Sequence, residues 1–458
     1  MKQPVQILVK LLVIAIIAIA CVVYTDRKGY FLTDQRTPHH EHRWESIYRL
    51  TPKDTIDVVV LGNSHVNTGI NPKNLSCALG CTAFAMAPSG TNIIDSYYCL
   101  KEILTRTHPR LVVVETYLMN NTDKHNSSKG AVADQFRSFY PRRNIPIKLA
   151  SMPVLFEVEN YLPAWSFTLR NHEMIFRNPD EIKENQAILK TKRRHPDKSL
   201  YLGRFVRFTS GITDSIMTLY DTQGAPVNGE EEHVSKHDIT YARKIVELCE
   251  QNNIEVFFCT LPMYYRHVAN YEAWREEQAR AIEPTGKPWF NMQDPYDYQS
   301  FNRDCFESSF AKNQHMTYYG SLVATYKLAH YIVDTLHIDL PKRYKEERWH
   351  RLFYGQEGYF ENYKPSAADK NFTIFYRDTV VNNLRISDFT VSKDNTIMLK
   401  LRGGDEAPTV VPVDVLVEYN GQEQFGRILL YPGGFSFRDR IYTSRLNPGY
   451  HIKHVKLN

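Results

Sequence analysis

Ile56-Asp57-Val58-Val59-Val60-Leu61-Gly62-Asn63-Ser64-His65-Val66-Asn67-Thr68-Gly69-Ile70-Asn71-Pro72 is the stretch on which the fold turns. Its first six residues are a short, β-branched run of the kind buried on both faces of a parallel sheet. A glycine before a serine at a strand's carboxyl end lets the backbone turn sharply. It also lifts the hydroxyl to the rim, where open α/β sheets bind their ligands. Ser64 is expected near a helix amino terminus, where backbone N–H groups stabilise developing negative charge. The competing reading is that Asn63-Ser64 only caps a helix.

Outward from this stretch, strands and helices alternate. Thr82–Met86, Leu111–Val114, Ile254–Cys259 and Pro288–Phe290 read as further strands. Apolar stripes at helical spacing cover 93–104, 239–249, 269–282 and 318–336. This order implies right-handed crossovers and a doubly wound parallel sheet with helices on both faces. Residues 55–340 form that α/β unit, with an insertion at about 125–235 between the third and fourth strands. The insertion carries helical stretches over Ile147–Leu169, a Tyr201–Ile212 stretch and the basic run Lys190-Thr191-Lys192-Arg193-Arg194-His195. That run is either a solvated face or a contact for an anionic substrate or lipid headgroup.

The flanks differ in character. The chain has 458 residues, a net charge of +5 and seven cysteines, and its mean hydropathy of −0.43 excludes a polytopic membrane protein. So diffuse a charge gives no footprint for nucleic acid. Val5–Tyr24 is an apolar run broken only by Lys10, and at helical rise it spans about 30 Å, the thickness of a hydrocarbon core. An uncleaved signal anchor over 1–28, with the bulk of the chain outside the cytoplasm, is the preferred reading. A signal peptide cleaved after Ala18-Ile19-Ala20 and lipidation at Cys21 are the alternatives. Residues 29–54 read as a juxtamembrane linker, and within them His39-His40-Glu41-His42 has ligand chemistry. Residues 341–370 read as a charged linker. Residues 371–458 carry short β-rich segments with Gly and Pro punctuation, the pattern of a small β-sandwich. Asn420-Gly421 there is a strong hairpin signal. The cysteines form no CxxC pair, so no zinc ribbon is expected. Cys77 and Cys81 leave a disulfide open.

Two more segments bear on Ser64. Ala85-Met86-Ala87-Pro88-Ser89-Gly90-Thr91-Asn92 follows the second strand and offers the Gly90 N–H to the same rim. Lys312-Asn313-Gln314-His315-Met316-Thr317-Tyr318-Tyr319-Gly320 places His315 just before the last helix, also at the carboxyl rim. A serine needs a base within hydrogen-bond reach to become a nucleophile, and His315 is the candidate.

Gly-Asn-Ser-His after strand one, Ala-Pro-Ser-Gly after strand two and His-x-x-x-x-Gly before the last helix together resemble the SGNH (GDSL-like) hydrolase superfamily. The resemblance covers about residues 55–335. It is greatest to the membrane-anchored branch that includes the teichoic-acid D-alanylation and alginate O-acetylation proteins. It implies a flavodoxin-like sheet, Ser64 as nucleophile, His315 as general base, and an oxyanion hole from the Ser64 and Gly90 N–H groups. It also implies a cofactor-free esterase or O-acyltransferase on exported or cell-surface polysaccharide, with a multi-span membrane acyltransferase as partner. The chain departs from the pattern at three places. Asn63 stands where Asp is common, Glu115-Thr116-Tyr117 where an oxyanion Asn is usual, and Lys312 where the acid that orients the histidine normally lies. Asn63, Asn313 and Asp304 (or Asp294) are the remaining orienting or accessory candidates. The alternative function is an inactive, membrane-tethered glycan-binding or assembly protein.

Overall fold

A computed structural model of the chain describes residues 3–34, 36–50, 55–120, 122, 129–173, 179–194, 200–205, 212–223, 232–264, 268–301, 303–307, 315–343, 346, 373–381, 384–391, 396–402, 411–419, 421–436, 439–445 and 450–457. A five-stranded parallel sheet forms its centre. The strands are β1 (Val58–Leu61), β2 (Ala83–Met86), β3 (Leu111–Glu115), β4 (Glu255–Thr260) and β5 (Trp289–Asn291), in spatial order β2-β1-β3-β4-β5. The apolar runs in these strands follow from burial on both faces. Val59, Leu61, Phe84, Met86, Val112 and Val114 enter one core, while Val58, Val60, Ala83, Ala85, Leu111 and Val113 enter the other. The first core is closed by α5 (Ile93–Ile103) and α12 (Lys236–Gln251), the second by α4 (Pro72–Leu79) and α14 (Tyr318–His330). The order reverses between β1 and β3, and that crevice at the carboxyl ends is where doubly wound sheets bind ligands.

Ahead of the sheet, α1 (Gln3–Lys28) is long and apolar enough to cross a membrane, the single such helix among the described residues. Residues 29–54, expected as a linker, contain α2 (Thr37–Tyr48). Its Trp44 and Ile47 are 1% and 0% exposed and belong to the first core, beside Ile56. This helix escapes a reading by period because four of its first six residues are Thr, His, His and His. Within the insertion lie α6 (Lys129–Phe139), α7 (Ile145–Leu155), α8 (Tyr161–Trp165), α9 (Phe167–Asn171), α10 (Pro179–Arg194) and α11 (Asp214–Gln223); α13 (Tyr271–Ile282) follows β4. The helical stretches expected over 147–169 are α7, α8 and α9, separated by extended residues at Phe156 and Ser166, and the Ser166 hydroxyl caps α9 at the Leu169 N–H. The basic run ends α10, with His195 outside the described residues. A ribbon of Leu200–Tyr201 and Arg204–Phe205 covers the β2 edge, where the Ala85 N–H donates to the Leu202 carbonyl.

The C-terminal strands β6 (Thr373–Val381), β7 (Leu384–Val391), β8 (Thr396–Arg402), β9 (Val411–Tyr419), β10 (Gln422–Ser436), β11 (Asp439–Arg445) and β12 (Tyr450–Leu457) are antiparallel, in order β12-β9-β10-β11-β8-β7-β6. The 15-residue β10 pairs with β9 along its first part and with β11 along its second, and one core takes side chains from β7, β8, β9 and β12. The sheet thus turns about a common interior, and Tyr419 pairs with Gln422 across the expected Asn420-Gly421 hairpin. Most of the expected 341–370 linker lies outside the described residues. At its start, Arg343 Nη2 donates to the buried Asp57 carboxylate at 2.7 Å, pinning the segment to the α/β unit.

Candidate functional site

At the end of β1, Gly62 lets the chain turn with no room for a side chain. A Cβ there would lie 2.6 Å from Val66 Cβ and 3.4 Å from Glu115 Cβ. Asn63 then caps α3 (Ser64–Gly69), its Oδ1 accepting from the His65 N–H at 3.1 Å. Its Nδ2 donates to the Thr91 carbonyl at 3.4 Å, joining the turn to the loop after β2. Capping therefore falls to Asn63, and Ser64 becomes the first helical residue, half-buried at the rim. The next side chain, His65, is 4% exposed and stacks on Tyr117, with ring centroids 3.8 Å apart.

Gly90 sits in the adjoining turn with φ +72, a conformation that favours glycine, and a Cβ there would strike the Asp134 carboxylate. Asp134 in turn pairs with Arg137, which also pairs with Asp34 beyond α1. The loop ends at Asn92, whose side chain caps α5 at the N–H groups of Ile94 and Asp95. These contacts hold the Gly90 turn beside the Ser64 turn.

His315 arrives from the far end of the α/β unit. Its ring meets His65 edge-on at 6.0 Å between centroids. It is delivered by a short antiparallel pairing: Phe306 bridges Met316, the Glu307 N–H donates to the His315 carbonyl at 3.0 Å, and the Thr317 N–H donates to the Cys305 carbonyl at 2.9 Å. Residues directly opposite in such a pair share a face. Glu307 consequently faces His315, with Oε2 3.8 Å from Nδ1 and a side chain only 4% exposed. No motif pointed to Glu307. Its relation to His315, across the seven intervening residues 308–314, appears only once the pairing is known.

The candidates named for orienting the histidine fare differently. Asn313 and Lys312 lie outside the described residues; Asp304 is the middle residue of a 3-10 turn (Arg303–Cys305) and its side chain is not described. Asp294 is engaged elsewhere, accepting from Asn291 at 2.9 Å and pairing with Arg275 at 3.6 Å. Asn63 belongs to the serine turn.

Under the switch point lies Glu115, the last residue of β3 and 1% exposed. Burial pushes its carboxyl up to about 8, partly offset by the backbone N–H groups of Tyr117 and Leu261. Oε1 accepts from the Tyr117 N–H at 3.0 Å, while buried Oε2 has no hydrogen-bond partner among the described residues. With its pKa raised so far, the group holds its proton at neutral pH, beside the Gly62 turn. Beyond it the Tyr117 ring packs edge-on against Trp274 at 5.4 Å.

Among the described residues, no group of three or more His, Cys, Asp or Glu is placed to hold a metal ion; the His39–His42 cluster lies within α2. Cys81 is a buried free thiol, and the side chain of Cys77 is not described. The chain matches no family model and no curated protein.

Proposed function

We propose that the chain is a membrane-anchored, SGNH-like serine esterase or O-acyltransferase acting on exported or cell-surface polysaccharide. The observation that carries this reading is the convergence of His315, backed by the buried Glu307 carboxylate 3.8 Å from Nδ1, on the turn that presents Ser64. A nucleophile, a base and an orienting acid on separate elements at one rim are the parts acyl transfer needs. His315 takes the Ser64 hydroxyl proton as Oγ attacks an ester carbonyl. The N–H groups of Ser64 and Gly90 hold the oxyanion. Collapse expels the alcohol, which takes the proton from His315 and leaves an acyl-enzyme. Water or a sugar hydroxyl, deprotonated by His315, then accepts the acyl group and frees Ser64. The apolar α1 supports a place at the membrane, where a multi-span acyltransferase is the proposed donor partner.

The test is turnover of p-nitrophenyl acetate and labelling by a fluorophosphonate probe, using the full chain in nanodiscs beside Ser64→Ala. Labelling and turnover that vanish in Ser64→Ala support the reading. Equal labelling of both proteins, or none in either, sinks it and favours the tethered glycan-binding alternative.

A further inference from the structure

Helix α7 is built inside out for a water-soluble surface. Its outward stripe is Ile145, Pro146, Leu149, Ala150 and Pro153, all exposed, whereas Lys148 and Ser151 point inward beside Met152 and Leu155. A surface helix of a soluble domain shows the reverse. The buried Lys148 ammonium is accommodated by the Tyr140 carbonyl at 3.2 Å and by the Phe139 and Trp165 rings, 4.5 and 4.4 Å away. Exposed apolar side chains continue through the following elements, with Val158 74%, Leu162 68% and Leu169 37% exposed. Single exposed apolar residues need no explanation, but a succession over consecutive elements marks an interaction surface.

The occupant follows from what this surface adjoins. Thr168 of α9 donates from both N–H and hydroxyl to Asp26 Oδ1 at 2.8 Å, and its hydroxyl also meets Thr25 at 2.6 Å. Asn171 donates to the Phe31 carbonyl at 2.8 Å. The last turn of α1 is thus bonded to α9, next in the chain to α8, so the exposed Leu169 lies on the element that holds the end of the apolar run of α1. We propose that α7, α8 and α9 form a monotopic contact, with Ile145, Leu149, Val158, Leu162 and Leu169 seated in the headgroup–acyl boundary of the bilayer that α1 crosses. The proposal rests on α1 spanning the membrane and is independent of the chemistry at Ser64.

The test places a nitroxide at Leu149→Cys or Leu162→Cys in the full chain, with Cys21 and Cys77 replaced by serine, in phosphatidylcholine–phosphatidylglycerol nanodiscs. Ile14→Cys reports the span and Val380→Cys an exposed site on β6. Accessibility to oxygen above that to a water-soluble nickel chelate at both Leu149 and Leu162, as at Ile14 and opposite to Val380, is the expected result. Higher chelate accessibility at either position while Ile14 reads as lipid overturns the contact. Exclusion of both reagents also overturns it, since a protein then covers the face. A water-exposed Ile14 removes the spanning reading and the proposal with it.

Discussion

Glu307 and His315 face each other across a backbone pairing, the carboxylate 3.8 Å from Nδ1 and shielded from solvent. In the proposed acyl transfer, a buried acid so placed would stabilise the imidazolium formed as the serine is deprotonated. Glu307→Gln is expected to lower kcat on the order of 10²–10⁴-fold with little change in KM. Glu307→Asp should recover part of the loss. Steady-state kinetics over a range of pH check this; a Gln variant with unaltered kcat removes Glu307 from the machinery.

Glu115 sets a pH dependence of stability. Its folded-state pKa of about 8 lies above the ordinary carboxylate value, so the folded chain holds a proton that the unfolded chain has released. The contribution is complete below the unfolded pKa and is lost as pH rises through about 8, on the order of a few kcal/mol. Glu115→Gln, neutral at every pH, should flatten the difference between urea midpoints at pH 6 and pH 9. An unchanged difference would show that other groups set it.

Gly62→Ala forces a methyl group against Val66 and toward Glu115. Displacing α3 is expected to cost about 1–3 kcal/mol. Because α3 begins at Ser64, activity should fall more than the loss of folded protein explains. Thermal melting and specific activity per folded molecule separate the two effects.

Asp95 and Arg142 form an ion pair with both side chains fully buried, and Ser138 donates to the same carboxylate at 2.6 Å. Arg142→Met leaves a buried charge uncompensated and is expected to destabilise by about 3–5 kcal/mol. Adding Asp95→Leu should restore part of this, since removing both charges removes the desolvation problem. Urea unfolding of the single and double variants measures the coupling.

The alternation of strands and helices was legible because each β-strand is a short run apolar on both faces and each crossover helix keeps a 3.6-residue stripe. The Gly62-Asn63-Ser64 turn and the place of His315 were legible for the same reason, since topology sends both to one rim. Glu307 was not. It faces His315 across a pairing that no local period encodes. Helix α2 was missed because Trp44 and Ile47, its core contacts, are outnumbered by polar neighbours. Strand β11 carries little local signal, because Asp439-Arg440-Ile441-Tyr442-Thr443-Ser444-Arg445 mixes charge with apolar residues, although Tyr442 is fully buried.

A flexible segment as long as 29–54 would let a tethered body sweep roughly 25–30 Å about its root. Here that slack is taken up: α2 is part of the core, and Asp26 is held by Thr168. With α1 in a bilayer, the Ser64 rim would stand at a height set by the thickness of the protein itself. Its reach would be a fixed stand-off, and a substrate would have to be brought to that level.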